Sequence, residues 1–116
     1  MTKFIKTTAT VFFIVMSISN TTSAKASNTL LAKNAYEACT RADMNWINFC
    51  NGLMQGYADY ATLTGRACFP AAVTKTQLVT VFTSKLMKST WAYRNNAAAL
   101  LAATETFELA YPCKSS

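Results

Sequence analysis

Histidine is absent from the 116-residue sequence, which has only three glycines, two prolines and five acidic residues. Without histidine, no histidine-based catalytic triad or general base can form. The scattered glycines form no glycine-rich phosphate loop. Of the acids, Glu105 and Glu108 lie three residues apart, which on a helix is typical of a solvated surface pair. The sequence therefore predicts a protein that is not an enzyme and acts by binding or as a structural component.

Long runs of positive charge are also absent. Removal of residues 1–26 takes away three of the eleven basic residues and leaves eight, spread along the chain, against five acidic ones. A nucleic-acid-binding protein would need a basic stripe or cluster. A helix lying on a membrane would need one continuous basic amphipathic face. The pattern therefore predicts no nucleic-acid partner and no membrane insertion of the mature chain.

Residues 1–26 have the block order of a secretory signal peptide. Two lysines form a charged start, residues 11–16 form an apolar run, and Ala24-Lys25-Ala26 supplies the small residues that signal peptidase reads. The apolar run is far shorter than the ~20 residues that cross a bilayer. An amphipathic first helix of a cytosolic domain is the alternative. We expect cleavage after Ala26, or else after Ala24, to release a periplasmic domain of residues 27–116.

All four cysteines fall in that mature domain: Cys39, Cys50, Cys68 and Cys113. An even count in a short exported chain is typical of a disulfide framework. A metal site is the alternative, but the spacings of 11, 18 and 45 residues contain no C-x-x-C pair. We therefore predict two disulfides, with no metal and no cofactor. Four cysteines allow three connectivities, and their spacing alone does not choose among them.

Capping residues and a period of three to four residues predict an all-α fold, a small four-helix domain stapled by two disulfides. The predicted helices cover residues 29–39, 44–63 and 75–88, and a fourth, capped by Ser89 or Thr90, runs up to about residue 110. Asp43 is a suitable N-cap for the second helix, and Gly65 should end it. Thr74 and Gln77 fit a capping box for the third helix, which outweighs the competing prediction of a strand from its β-branched residues.

Hydrophobic periodicity also predicts which side chains face the core. For the second helix the predicted inward residues are Trp46, Phe49, Cys50, Leu53, Tyr57 and Tyr60. For the fourth they are Tyr93, Ala97, Leu100, Leu101, Thr104 and Phe107. Short connections favour antiparallel neighbours. Helices running alternately in this way would bring Cys68 to Cys113 at one end of the domain, and Cys39 to Cys50 at the other.

Four segments, in this order and spacing, resemble the Rap/Tai immunity proteins: Phe49–Asp59, Cys68-Phe69-Pro70, Val73–Leu78 and Ala110-Tyr111-Pro112-Cys113. The resemblance covers nearly the whole mature chain. Two departures stand out. Leu53 occupies a position where the family often has tyrosine. Lys88-Ser89-Thr90 occupies the place of a histidine- or asparagine-proline turn.

The resemblance implies a periplasmic, all-helical, disulfide-bonded and often dimeric protein. Such proteins bind and block peptidoglycan amidase effectors of type VI secretion systems, protecting the producing cell and its siblings. The loop before their last helix contributes to effector binding, which implies the partner-binding residues Lys88, Ser89, Thr90 and Trp91 here. A helix cap with a packed tryptophan is the alternative for these residues.

Two other functions compete with immunity. One is a small periplasmic stress chaperone of the acid-activated kind, although the absence of histidine weakens a switch near neutral pH. The other is a different helical binding protein of the cell envelope.

Overall fold

Five α-helices make up the computed structural model, which describes residues 29–114. They are α1 Ala32–Thr40, α2 Met44–Leu63, α3 Lys75–Lys88, α4 Trp91–Asn96 and α5 Ala99–Ala110. Within residues 29–114 there is no strand, and Leu31 and Ala98 form an isolated antiparallel bridge. The all-α prediction is confirmed. The predicted signal peptide lies outside the described residues.

Local capping sets the ends of α2 and α3, as the sequence predicts. The Asp43 carboxylate accepts a hydrogen bond from the Trp46 amide at 3.2 Å. Thr74 and Gln77 form the predicted capping box, with each side chain accepting from the other residue's amide, at 3.1 and 2.8 Å. Gly65 lies just beyond the end of α2 with a φ of 70°, a conformation that glycine adopts without the Cβ penalty.

The core is built mainly from small side chains, and this moves the buried face of α2 away from the predicted one. The buried residues of α2 are Cys50, Met54, Ala58 and Ala61. Of the six residues predicted to face inward, only Cys50 is buried, while Phe49 and Tyr60 are 48% and 40% exposed. Alanines let α2 lie close to its neighbouring helices α1, α3 and α5, so the large aromatic rings are displaced to the edge of the core.

The predicted fourth helix is interrupted, so the prediction of one continuous helix is wrong. Ala97 and Ala98 are extended, with ψ of 138° at both residues. The Ala32 amide donates to the Ala97 carbonyl at 2.8 Å, and the Ala99 amide donates to the Leu30 carbonyl at 2.7 Å. These bonds engage backbone groups that a continuous helix would use. After the break, the half-exposed Leu101 faces outward, not inward as predicted.

Two disulfides cross-link the domain, one toward the start of α2 and one beyond its end. Cys39 is bonded to Cys50 and Cys68 to Cys113, which is the pairing that the helix directions predict. The loops that they close, with sequence separations of 11 and 45 residues, correspond to about 3 and about 4 kcal/mol of lost unfolded-state entropy. Next to the second bridge in the chain, the Phe69 ring packs against Phe107 with the ring centroids 5.4 Å apart.

Candidate partner-binding site

The loop between α3 and α4 has a fixed path because its two central residues cap the helices on either side. Ser89 is the C-cap of α3, where its hydroxyl donates to the Lys85 carbonyl at 2.8 Å and its amide to the Leu86 carbonyl at 3.1 Å. Thr90 is the N-cap of α4, and its hydroxyl oxygen accepts from the Tyr93 amide at 3.1 Å. Both side chains are thus engaged by the adjoining helices.

Trp91 follows these caps and begins α4 with its side chain 73% exposed. The alternative of a packed tryptophan is therefore wrong. Its carbonyl oxygen accepts from the Asn95 side-chain amide at 2.8 Å, one turn later. Lys88, three residues earlier, is also exposed. The structure thus leaves both the indole ring and the lysine side chain accessible to a partner.

Two clefts flank this loop. The first, of about 340 Å³, lies between α3 and α5 and is lined by Lys85, Lys88, Ser89, Thr90, Tyr93, Glu105 and Leu109. The second, of about 500 Å³, lies between α1 and α4 and is lined by Lys33, Tyr36, Glu37, Trp91, Arg94 and Asn95. The loop residues predicted to bind a partner are therefore divided between them. Lys88, Ser89 and Thr90 line the first cleft, and Trp91 lines the second.

Positive charge surrounds the loop, although the basic residues are dispersed in the sequence. Two line each cleft: Lys85 and Lys88, and Lys33 and Arg94. The one ion pair within residues 29–114 joins Arg66 to Glu108, so none of these four cations is paired there. Complementary charge raises the rate and specificity of association. Each cleft also has one acid in its lining, Glu105 in the first and Glu37 in the second, so each carries a small excess of positive charge.

Tyr93 links α4 to α5 through Glu105, a contact that sequence analysis missed. The phenol hydroxyl donates to the Glu105 carboxylate at 2.6 Å. Burial of the ring, reinforced by the hydrogen bond and charge of Glu105, raises the pKa of Tyr93 to about 12. Tyr93 therefore stays protonated and keeps donating throughout the neutral range. The spacing of the two residues along the sequence does not predict this hydrogen bond, because they lie on different helices.

The backbone bridge between Leu31 and Ala98 also holds α4 in place. α4 has only six residues and none is buried, and it packs mainly against α1. So short a helix is not stable alone. Its C-terminal end is fixed where the Ala97 carbonyl accepts from the Ala32 amide. Residues 30–32 therefore position the helix that begins with the exposed tryptophan.

We expect Ala99→Pro to loosen α4 selectively. Proline at the first position of α5 suits the helix, and Ala98 already has the extended conformation that proline requires before it. The change removes the amide that donates to Leu30, a bond worth about 1 kcal/mol. Amide exchange of residues 91–96 should quicken severalfold, measured by hydrogen–deuterium exchange.

Lys75→Pro is the matched control for this prediction. Lys75 is likewise the first residue of a helix, follows an extended residue, and lies in α3, away from the bridge. It should leave exchange in α4 unchanged. Uniformly faster exchange over the whole domain in Ala99→Pro would contradict a local positioning role and indicate that the added ring disturbs the core, since Ala99 is fully buried.

All four cysteines are in disulfides, and residues 29–114 contain no group of cysteine and acidic side chains that could hold a metal ion. In the same part of the chain, no helix is both long and apolar enough to cross a membrane. An exposed loop capped on both sides, on a disulfide-bonded helical domain, is the arrangement expected of a small helical binding protein.

Within that class, the chain belongs to the Rap1a immunity protein family, whose family model matches residues 27–113. This membership indicates an immunity protein, and it implies an effector protein as the binding partner. No curated protein and no solved structure matches the chain.

Proposed function

We propose that the mature chain is a periplasmic immunity protein that binds and blocks a peptidoglycan amidase effector of a type VI secretion system. Family membership supports an effector protein as the partner. Two disulfides and the signal-peptide pattern of residues 1–26 support an oxidising, extracytoplasmic location. Peptidoglycan lies in that compartment. The observation that carries the proposal is the exposed Trp91 on a doubly capped loop.

The mechanism is steric occlusion of the amidase cleft by residues 88–91. A loop whose path is already fixed by Ser89 and Thr90 loses little conformational freedom on binding, so less of the interaction energy is offset by ordering. Trp91 is the anchor, since binding energy concentrates in tryptophan, tyrosine and arginine. Lys88 and the cations of the two clefts meet acidic groups at the edge of the amidase surface.

We expect Trp91→Ala to weaken binding by at least ~2 kcal/mol, or roughly thirtyfold. Because the side chain is 73% exposed, the thermal midpoint and helical spectrum should stay unchanged. Binding is measured by titration calorimetry against the purified amidase encoded nearest to this chain's gene. Trp46→Ala is the control: that ring is half-buried on α2 beneath the Arg41 guanidinium, so it should affect stability and leave affinity intact.

Equal affinity for Trp91→Ala and wild type would refute the anchor role. A mature chain that neither binds that amidase nor protects cells expressing it in the periplasm would defeat the immunity proposal as a whole.

For the division of the chain, we propose residues 1–26 as a cleaved signal peptide and 27–116 as the immunity domain. The intact mass of the periplasmic protein should correspond to a start at Ser27, or at Lys25 if cleavage follows Ala24. Ala26→Phe separates the two sites, because it blocks cleavage after residue 26 and leaves the earlier site usable. Cytoplasmic protein that retains Met1 would contradict export.

We also propose that the protein is a homodimer joined along an exposed stripe of α2. The stripe is formed by Phe49, Gly52, Gly56, Tyr60 and Leu63, whose three- and four-residue steps place them on one helix face. Leu63 is 87% exposed, and a Cβ at either glycine would meet nothing within 4 Å. Glycines permit close backbone approach, and the same stripe on a second copy makes a self-complementary contact.

Gly56→Lys should convert the dimer to a monomer with an unchanged helical spectrum. The new side chain extends into open space in the single chain but would lie between two copies of α2. Gly56→Ala is the control, because its methyl group is small enough to keep the dimer. Light scattering gives the mass, and a wild-type monomer, or a Gly56→Lys dimer, would contradict the assignment.

A further inference from the structure

The cleft beside the loop continues as a groove along α3 and α5. This second stretch has a volume of about 540 Å³ and shares Lys85, Lys88 and Leu109 with the cleft at the loop. On the α3 side the groove runs from Thr80 to Lys88, nine residues or about 12 Å of helix. The groove is therefore long enough for about two turns of a partner helix and opens directly onto the candidate binding loop.

The walls of this groove are mainly apolar, and two of their hydroxyl groups are already hydrogen-bonded within the chain. The Thr106 side chain, 3% exposed in the groove wall, donates its hydroxyl to the Ala102 carbonyl one turn earlier at 2.7 Å. Thr80 does the same toward Thr76 at 2.9 Å. Leu109 stands at the rim with 69% of its side chain exposed. An apolar ligand face would thus contact this surface without leaving the two hydroxyls unpaired.

The charge along the second stretch of the groove is one-sided. Among residues 29–114 its lining contains Lys85 and Lys88 and no acid, whereas Glu105 lines the cleft at the loop. Glu105 accepts the hydrogen bond of Tyr93, and Glu108 pairs with Arg66 at 2.7 Å. Within residues 29–114 the two lysines therefore have no ion-pair partner. A ligand that supplies carboxylates along this rim would neutralise them.

We infer that the α3–α5 groove binds a short segment of the effector that is apolar on one side and acidic on the other, and that it does so together with the loop. The inference rests on the proposed function and adds a second contact to it. An amphipathic helix in a groove is a common mode of recognition. The loop then occludes the amidase cleft, and the groove holds a neighbouring part of the same effector.

The test compares two groove variants with two matched controls, using calorimetry with the amidase encoded nearest to this chain's gene. Leu109→Ser should weaken binding about tenfold, and Lys85→Gln about fivefold. Leu101→Ser changes another exposed leucine of α5 that lines neither cleft, and Lys75→Gln another exposed lysine of α3. Both controls should stay within twofold of wild type, and thermal midpoints confirm that all four variants fold.

Carbodiimide coupling of the complex identifies the occupant, because it joins a lysine amine to a carboxylate in direct contact. Peptide mapping should find Lys85 or Lys88 linked to an acidic residue of the amidase. A link to a second copy of this chain would instead make the groove a dimer contact and overturn the inference.

The loop variant and the groove variants test the two proposed contacts independently. If Trp91→Ala weakens binding while Leu109→Ser and Lys85→Gln do not, the groove inference fails and the proposed function stands. If the wild-type chain does not bind the amidase, both fail together.

Discussion

The pairing of residue 31 with residue 98 is the backbone constraint on which the arrangement of the binding surface depends. The first amides of a helix have no partner within the helix, and this pairing satisfies one at the start of α1 and one at the start of α5. It also divides an alanine-rich segment that would otherwise continue as one helix. The short α4 is thereby separated from α5 by two extended residues, and the loop before it lies between two clefts.

The domain is stiffened by covalent bonds because its core supplies little hydrophobic energy. Nine of the fifteen buried hydrophobic residues are alanine, which contributes much less burial energy than leucine or phenylalanine. The disulfides join α1 to α2 at one end and the loop after α2 to the end of α5 at the other. The proposed occlusion mechanism would benefit from this stiffness, since a rigid surface loses less entropy on binding.

The loop between α3 and α4 is held in an extended conformation by helix caps, whereas a proline can restrict the backbone at this place in related proteins. Where the Rap/Tai immunity proteins often have a proline turn, this chain has Lys88-Ser89-Thr90. Proline restricts the backbone through its ring. Here two side-chain caps, one closing α3 and one opening α4, hold the backbone extended at both residues. The lysine in this loop adds to the other basic residues that line the two clefts, which come from α1, α3 and α4.

The sequence by itself determined the helices whose signals are local. The Asp43 cap, the Thr74–Gln77 capping box and the disulfide pairing could be predicted because capping involves residues three apart and short connections constrain helix direction. The loop residues came from the family resemblance. The tertiary structure alone decided the break at Ala97–Ala98 and the displacement of the α2 aromatics, since backbone pairing and close helix approach override propensity and periodicity. It also placed four scattered cations in the two clefts beside the loop, two in each, because this placement depends on packing between helices and not on spacing along the chain.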